Sequence, residues 1–170
     1  MDHCAECGFT YDPAEAPAAG RAIRDGVVEV AAVLRRGAVD DLRTRRRPEV
    51  WSPLEYACHL RDVLLVQRER VLAARRTERP VFEPMGRDER VDHEGYAEQD
   101  PDDVLRQLGD AAGMFGNVLA RLGAGDWERH LVYPYPGPTP RTLAWMAVHT
   151  VHEVVHHLRD IRLQVEPAAG

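Results

Sequence analysis

Apolar residues recur at threes and fours in four stretches of this chain, the mark of helices that each bury one stripe. In the first, residues 14–36, Ile23, Val27, Val30 and Leu34 keep the spacing and Gly37 follows as a stop. Gly20 and Gly26 weaken helix propensity, so a start as late as residue 20 also fits. The second opens on Trp51-Ser52-Pro53-Leu54-Glu55, where Ser52 caps, Pro53 takes the first position and Glu55 completes a capping box. It runs to about Arg76 with Tyr56, Leu60, Val63, Gln67 and Val71 on its buried face. Asp100-Pro101 opens the third, residues 101–122, with Val104, Leu108, Ala111, Phe115, Val118 and Leu122 inward. Thr139 and Pro140 start the last, residues 141–164, whose stripe is Leu143, Ala147, Val151, Val154, Leu158 and Ile161, and Pro167 ends it.

These four helices predict an all-α four-helix bundle with long connections after the second and third helices. Residues 1–13 read as an arm, 14–165 as the bundle and 166–170 as a tail. The connection at 77–100 is long enough to serve as a lid or binding loop, with Met85, Arg87, Arg90, His93 and Tyr96 available to it. In the next connection, prolines hold Tyr133 and Tyr135 for either a pocket wall or packing across the bundle end.

A formal charge of −6 excludes a broad phosphate-binding face and hence a nucleic-acid role. All 22 basic residues are arginine, which with the abundant alanine suggests a high-GC coding sequence. The cluster Arg43, Arg45, Arg46 and Arg47 reads as a solvated face, or else as an attractor for an anionic substrate or thiol. No apolar run approaches a membrane span and no secretion leader is read, so a cytoplasmic location and no membrane partner are expected. Three cysteines then imply a reducing compartment rather than a disulfide framework.

The chemistry concentrates in the last helix, which carries His149, His152, Glu153, His156 and His157. With Val154 facing the core, His157 falls about 60° and Glu153 about 100° from the stripe, on the same flank, at about 100° per residue. Their i, i+4 spacing brings the side chains together, so a carboxylate and an imidazole can share a metal ion. His152 and His156 fall about 160° away, on the solvent side. His152-Glu153-Val154-Val155-His156 matches the HExxH pattern of zinc proteases. Its outward histidines and the lack of a preceding strand argue against that reading. A third ligand for Glu153 and His157 comes from His59, within the buried face of the second helix, where a lone imidazole needs a partner. The plainer alternatives are a hydrogen-bonded core histidine and a solvated histidine face.

Near the N-terminus, Cys4-Ala5-Glu6-Cys7 is a CxxC that supplies only two ligands. His3 or a distant residue would have to complete a second metal site; otherwise the arm simply packs on the bundle.

Two segments resemble the DinB superfamily, and within it the actinobacterial thiol-dependent enzymes typified by mycothiol-dependent maleylpyruvate isomerase. Trp51-Ser-Pro-Leu-Glu-Tyr-Ala-Cys-His59 is similar to the family's tryptophan followed eight residues later by its first metal histidine. Glu153-Val-Val-His-His157-Leu-Arg-Asp160 is similar to the isomerase pattern of glutamate, histidine four later and aspartate three after that. The resemblance implies a metal triad of His59, Glu153 and His157, with Asp160 hydrogen-bonded behind it. Members with three histidines would instead select His152 and His156. It further implies a divalent metal, zinc first with nickel or iron as alternatives, that binds a small-molecule thiol such as mycothiol. The thiol would attack an electrophile, a thiol transferase or isomerase activity. A metal-dependent hydrolase on the same triad and a non-catalytic metal-binding bundle remain the alternatives, and a homodimer is expected from the family.

Overall fold

The structure is a computed structural model and is described over residues 3–37 and 39–165. The expected tail at 166–170, with Pro167, lies outside the described residues. A 3-10 turn at Pro13–Ala18 leads into α1 (Ala19–Leu34), followed by short α2 (Val39–Arg43) and long α3 (Pro53–Arg76). Then come α4 (Arg87–His93), a 3-10 turn (Tyr96–Glu98), α5 (Pro101–Leu119), α6 (Ala124–Trp127), β1 (His130–Tyr133), β2 (Thr139–Thr142) and α7 (Leu143–Val165).

α1, α3, α5 and α7 make the bundle. α1 packs on α5 and α7, and α3 packs on the same two, so α1 and α3 face each other across a diagonal. The apolar stripes meet as expected: Ile23, Val30, Leu60, Val71, Leu108, Phe115, Leu143 and Ile161 are all buried. The sequence signals at the starts of α3 and α5 hold. Ser52 Oγ accepts from Glu55 N while Glu55 Oε2 accepts from Ser52 N, a closed capping box. Asp100 Oδ1 accepts from the amides of Asp102 and Asp103. A Cβ on Gly26 would stand 2.6 Å from Val154 Cγ1, so the missing side chain is what lets α1 approach α7 at the centre of that helix.

Several expectations need correction. Residues 13–18 form a 3-10 turn rather than α-helix, because Pro17 removes an amide there and Pro13 opens the turn. The third helix ends at Leu119, three residues early, and the 39–50 connection contains α2. The long 77–100 connection is partly helical. The chain between α6 and α7 holds an antiparallel hairpin pairing His130–Tyr133 with Thr139–Thr142, so a strand does precede the HExxH stretch. Thr139 and Pro140 therefore lie in β2, and α7 begins at Leu143, with Thr142 Oγ1 accepting from Trp145 N. Proline-dense YPYPGPTP concealed this: two short strands leave too few alternating positions for a period to show.

Candidate metal centre

His59 on α3 and Glu153 and His157 on α7 converge at the seam between the two helices, their ligand atoms within 4.8 Å of one another. Glu153 Oε2 lies 3.9 Å from His59 Nε2 and 3.7 Å from His157 Nε2. Both gaps exceed a hydrogen bond, and they approach the separation of about 3.3 Å between neighbouring ligands of a tetrahedral zinc ion. His59 Nδ1 is buried with no hydrogen-bond partner. His59 Nε2 and His157 Nε2 both face a carboxylate they do not quite reach, and a shared cation would close those gaps, so the residues fit a metal.

The surrounding groups hold these three in place. Trp51 packs its ring 5.0 Å from that of His59, and its carbonyl accepts from Gln164 Nε2, tying the start of α3 to the end of α7. Tyr56 lies over His157. Asp160 Oδ2 is 3.0 Å from His157 Nδ1, which leaves Nε2 facing Glu153. His149, to which the sequence assigned no role, has Nε2 3.5 Å from Glu153 Oε1 and Nδ1 3.2 Å from the Tyr11 hydroxyl. Its i, i+4 spacing from Glu153 was the available signal; Tyr11 had none, because only the folded arm brings it there.

Burial opposes ionisation of Glu153, but His157 and His59 outweigh it and hold the carboxyl well below its usual range. Burial likewise pushes His157 down, yet Asp160 and Glu153 raise it to about 9. Burial dominates at His59, lowering it despite Glu153, and at His149, pushed down to about 4. These neighbours favour a charged Glu153 and a protonated His157, so a cation bound here would displace the His157 proton.

A cleft of about 600 Å³ opens on the triad, lined by Val63, Gln67, Arg70, Met85, Arg87 and Tyr133 among others. Gln67 Nε2 donates to the Tyr133 hydroxyl and the Arg70 guanidinium lies over the Tyr133 ring, fixing that wall. Of the connection residues, Met85 and Arg87 do reach the cleft. Arg90 instead donates to the Met85 carbonyl, Tyr96 is buried with its hydroxyl donating to Asp62, and His93 is exposed. Tyr133 and exposed Tyr135 both line the cleft, which decides between the two expected roles. The arginine cluster divides: Arg43 and Arg45 are engaged with Gln99 and Glu55, while Arg46 and Arg47 border a neighbouring cleft of about 560 Å³ that shares His156 and His157. Cys58 faces elsewhere, its thiol 3.7 Å from Gln99 Oε1, and burial pushes it up to about 12.

His152 and His156 do not face solvent. The arm folds across that side of α7, leaving their side chains 12% and 18% exposed. The wheel placed them correctly relative to the bundle; it had no means to register a segment outside it.

A family model described as the DinB superfamily matches residues 22–161. The chain belongs to the DinB superfamily. Among solved structures, YfiT from Bacillus subtilis aligns with a TM-score of 0.75 at 16% identity, over 91% of this chain and 89% of that one. It is described as a probable metal-dependent hydrolase with an unusual four-helix bundle topology. At that identity the likeness shows the shared fold. No curated protein matches the chain in sequence. Among the described residues, no helix of this DinB-superfamily member is long and apolar enough to cross a membrane.

Proposed function

We propose that this chain is a metal-dependent enzyme in which His59, Glu153 and His157 hold a divalent cation, zinc first, that activates a small-molecule thiol toward an electrophile. The observation that carries the reading is a three-residue ligand set opening onto a cleft of about 600 Å³, since three protein ligands leave coordination free for a reactant. A cation held there acidifies what it binds and supplies a nucleophile near neutral pH. His59 and His157 contribute neutral nitrogen, Glu153 a single negative charge, and His149 and Asp160 orient the two ligands of α7. Val63, Val66 and Met85 give the cleft an apolar wall for the body of an electrophile. Arg70 and Arg87 favour a carboxylate on either reactant. In the transfer the thiol sulfur bonds to the electrophilic carbon, the leaving group departs with its bonding pair, and the thiol proton passes to solvent.

A thiol ionises near neutrality with little help, so a cation that lowers its pKa further presents a thiolate to the electrophile. Hydrolysis is the second reading, favoured by the description of YfiT as a probable metal-dependent hydrolase. Zinc-loaded protein given mycothiol, glutathione or cysteine in turn with a halogenated electrophile separates the two. Thiol-dependent product formation, abolished in His59→Ala, is the expected result. Ester or amide cleavage without thiol, or no metal-dependent turnover with any thiol, overturns the thiol reading.

A further inference from the structure

The arm is built as a turn that presents two thiols. Gly8 N donates to the Cys4 carbonyl and Cys4 N donates to the Phe9 carbonyl, both at 2.9 Å, closing a loop around Cys4-Ala5-Glu6-Cys7. Gly8 turns the chain at a φ of +75°, open to glycine and strained for other residues. Phe9 and Tyr11 then pack their rings 5.4 and 5.2 Å from that of His152, seating the turn on α7. The result is a four-member cluster of Cys4, Cys7, His152 and His156 whose ligand atoms lie within 4.8 Å of one another.

Two observations point to a ligand in that cluster. Both ring nitrogens of His152 are buried with no hydrogen-bond partner, although an imidazole always has at least one nitrogen to satisfy. Cys4 Sγ lies 3.6 Å from His156 Nδ1, the separation of about 3.6 Å expected of neighbouring sulfur and nitrogen ligands on tetrahedral zinc. The other nitrogen of His156 faces carboxylates, at 3.5 Å from Glu6 Oε2 and 3.6 Å from Asp160 Oδ2, so either lies near enough to serve as outer-sphere partner to a ligating imidazole.

We propose that Cys4, Cys7, His152 and His156 form a second metal site, a closed Cys2His2 zinc centre that staples the arm to the bundle. It shares no ligand with His59, Glu153 and His157. α7 serves both, because residues 152 and 156 point about 100° away from residues 153 and 157. Four protein ligands saturate tetrahedral zinc, so this centre is structural where its neighbour is open. Stapling the arm also fixes Glu6 at the cleft rim and Tyr11 against His149, which contacts Glu153.

The test is metal content by mass spectrometry and the absorption of cobalt-substituted protein, on the full chain and its variants. About two zinc ions per chain are expected, falling to about one in Cys4→Ser/Cys7→Ser and to about one in His59→Ala. Cobalt in the unsubstituted protein should show a thiolate-to-metal charge-transfer band and intense tetrahedral bands. Those should persist in His59→Ala and vanish in the cysteine variant, whose helical circular dichroism is retained. A thiolate band with only one metal per chain, unaffected by His59→Ala, would leave the arm centre standing and remove the bundle centre. Cobalt-loaded protein without a thiolate band overturns the proposal whether or not the variants fold, as does recovery of a Cys4–Cys7 disulfide from reducing extract with full metal content.

Discussion

A carboxylate largely withdrawn from water must be matched by neighbours that favour its charge, and Glu153 has His59, His149 and His157 around it. The quality of the centre therefore depends on groups that never touch the cation. Asp160 holds His157 by Nδ1 and also approaches His156. Asp160→Asn, made in the Cys4→Ser/Cys7→Ser background to isolate the bundle centre, should weaken metal binding about 10–100-fold, read by competition with a chelating dye. Glu55 supplies a separate test at this scale. Burial raises its carboxyl, but the paired bonds from Arg45 and the capping bonds from Ser52 outweigh it and hold it below the usual carboxylate range. A carboxyl whose pKa is depressed on folding stabilises the protein above its unfolded value, and that stabilisation is lost as pH falls through the folded one. Urea midpoints should accordingly drop more steeply below about pH 4.5 in the parent chain than in Glu55→Gln. At about pH 7 that variant should be less stable by about 1–3 kcal/mol.

Between elements, two close fits set the position of α7 and of the cleft rim. Gly26→Ala would press a methyl against Val154 Cγ1 at 2.6 Å, one residue from Glu153. Overpacking of this kind should destabilise by about 1–3 kcal/mol and lower metal affinity as well, because relief requires α7 to shift. Circular dichroism melts and metal titration check the two effects together. The rim is held by a buried charged network: Asp62 takes Arg61 Nε at 2.8 Å and the Tyr96 hydroxyl, while Arg90 reaches Asp62 and the Met85 carbonyl. Asp62→Ala leaves Arg61 only the Gln99 and Gln107 oxygens and Glu94 at 3.8 Å, and a loss of about 1–3 kcal/mol is expected in chemical denaturation. Hydrogen exchange should rise across residues 85–99, since Arg90 and Tyr96 lose their anchor.

For the whole molecule, metal binding and folding are linked. A cation that binds the folded chain at about 1,000 times its dissociation constant adds about 4 kcal/mol. Stripping with a strong chelator should lower the thermal midpoint of the parent chain measurably, and by less in a variant lacking both proposed centres. An unchanged midpoint on chelation would argue against metal at either. Residues of the arm, of α4 and of the β1–β2 hairpin all line the cleft over the α3–α7 seam, so its shape depends on elements outside the four long helices.

The sequence by itself determined the four long helices, two of their caps and the inward placement of His59, Glu153 and His157. Each of these is local or periodic: a capping box spans four residues, and a buried stripe repeats every turn. Only the tertiary structure decided the surroundings of His152 and His156. Their half-burial comes from Cys4, Cys7, Phe9 and Tyr11, some 150 residues away in sequence for the Cys4–His156 contact. A helical wheel knows the direction of a side chain and nothing of what arrives there. The β1–β2 hairpin escaped for a related reason, since its short strands gain their order from pairing with each other and from the isolated bridge between Val81 and Val132. Periodicity reports what one element does alone; the arm, the hairpin and the cleft exist only where elements meet.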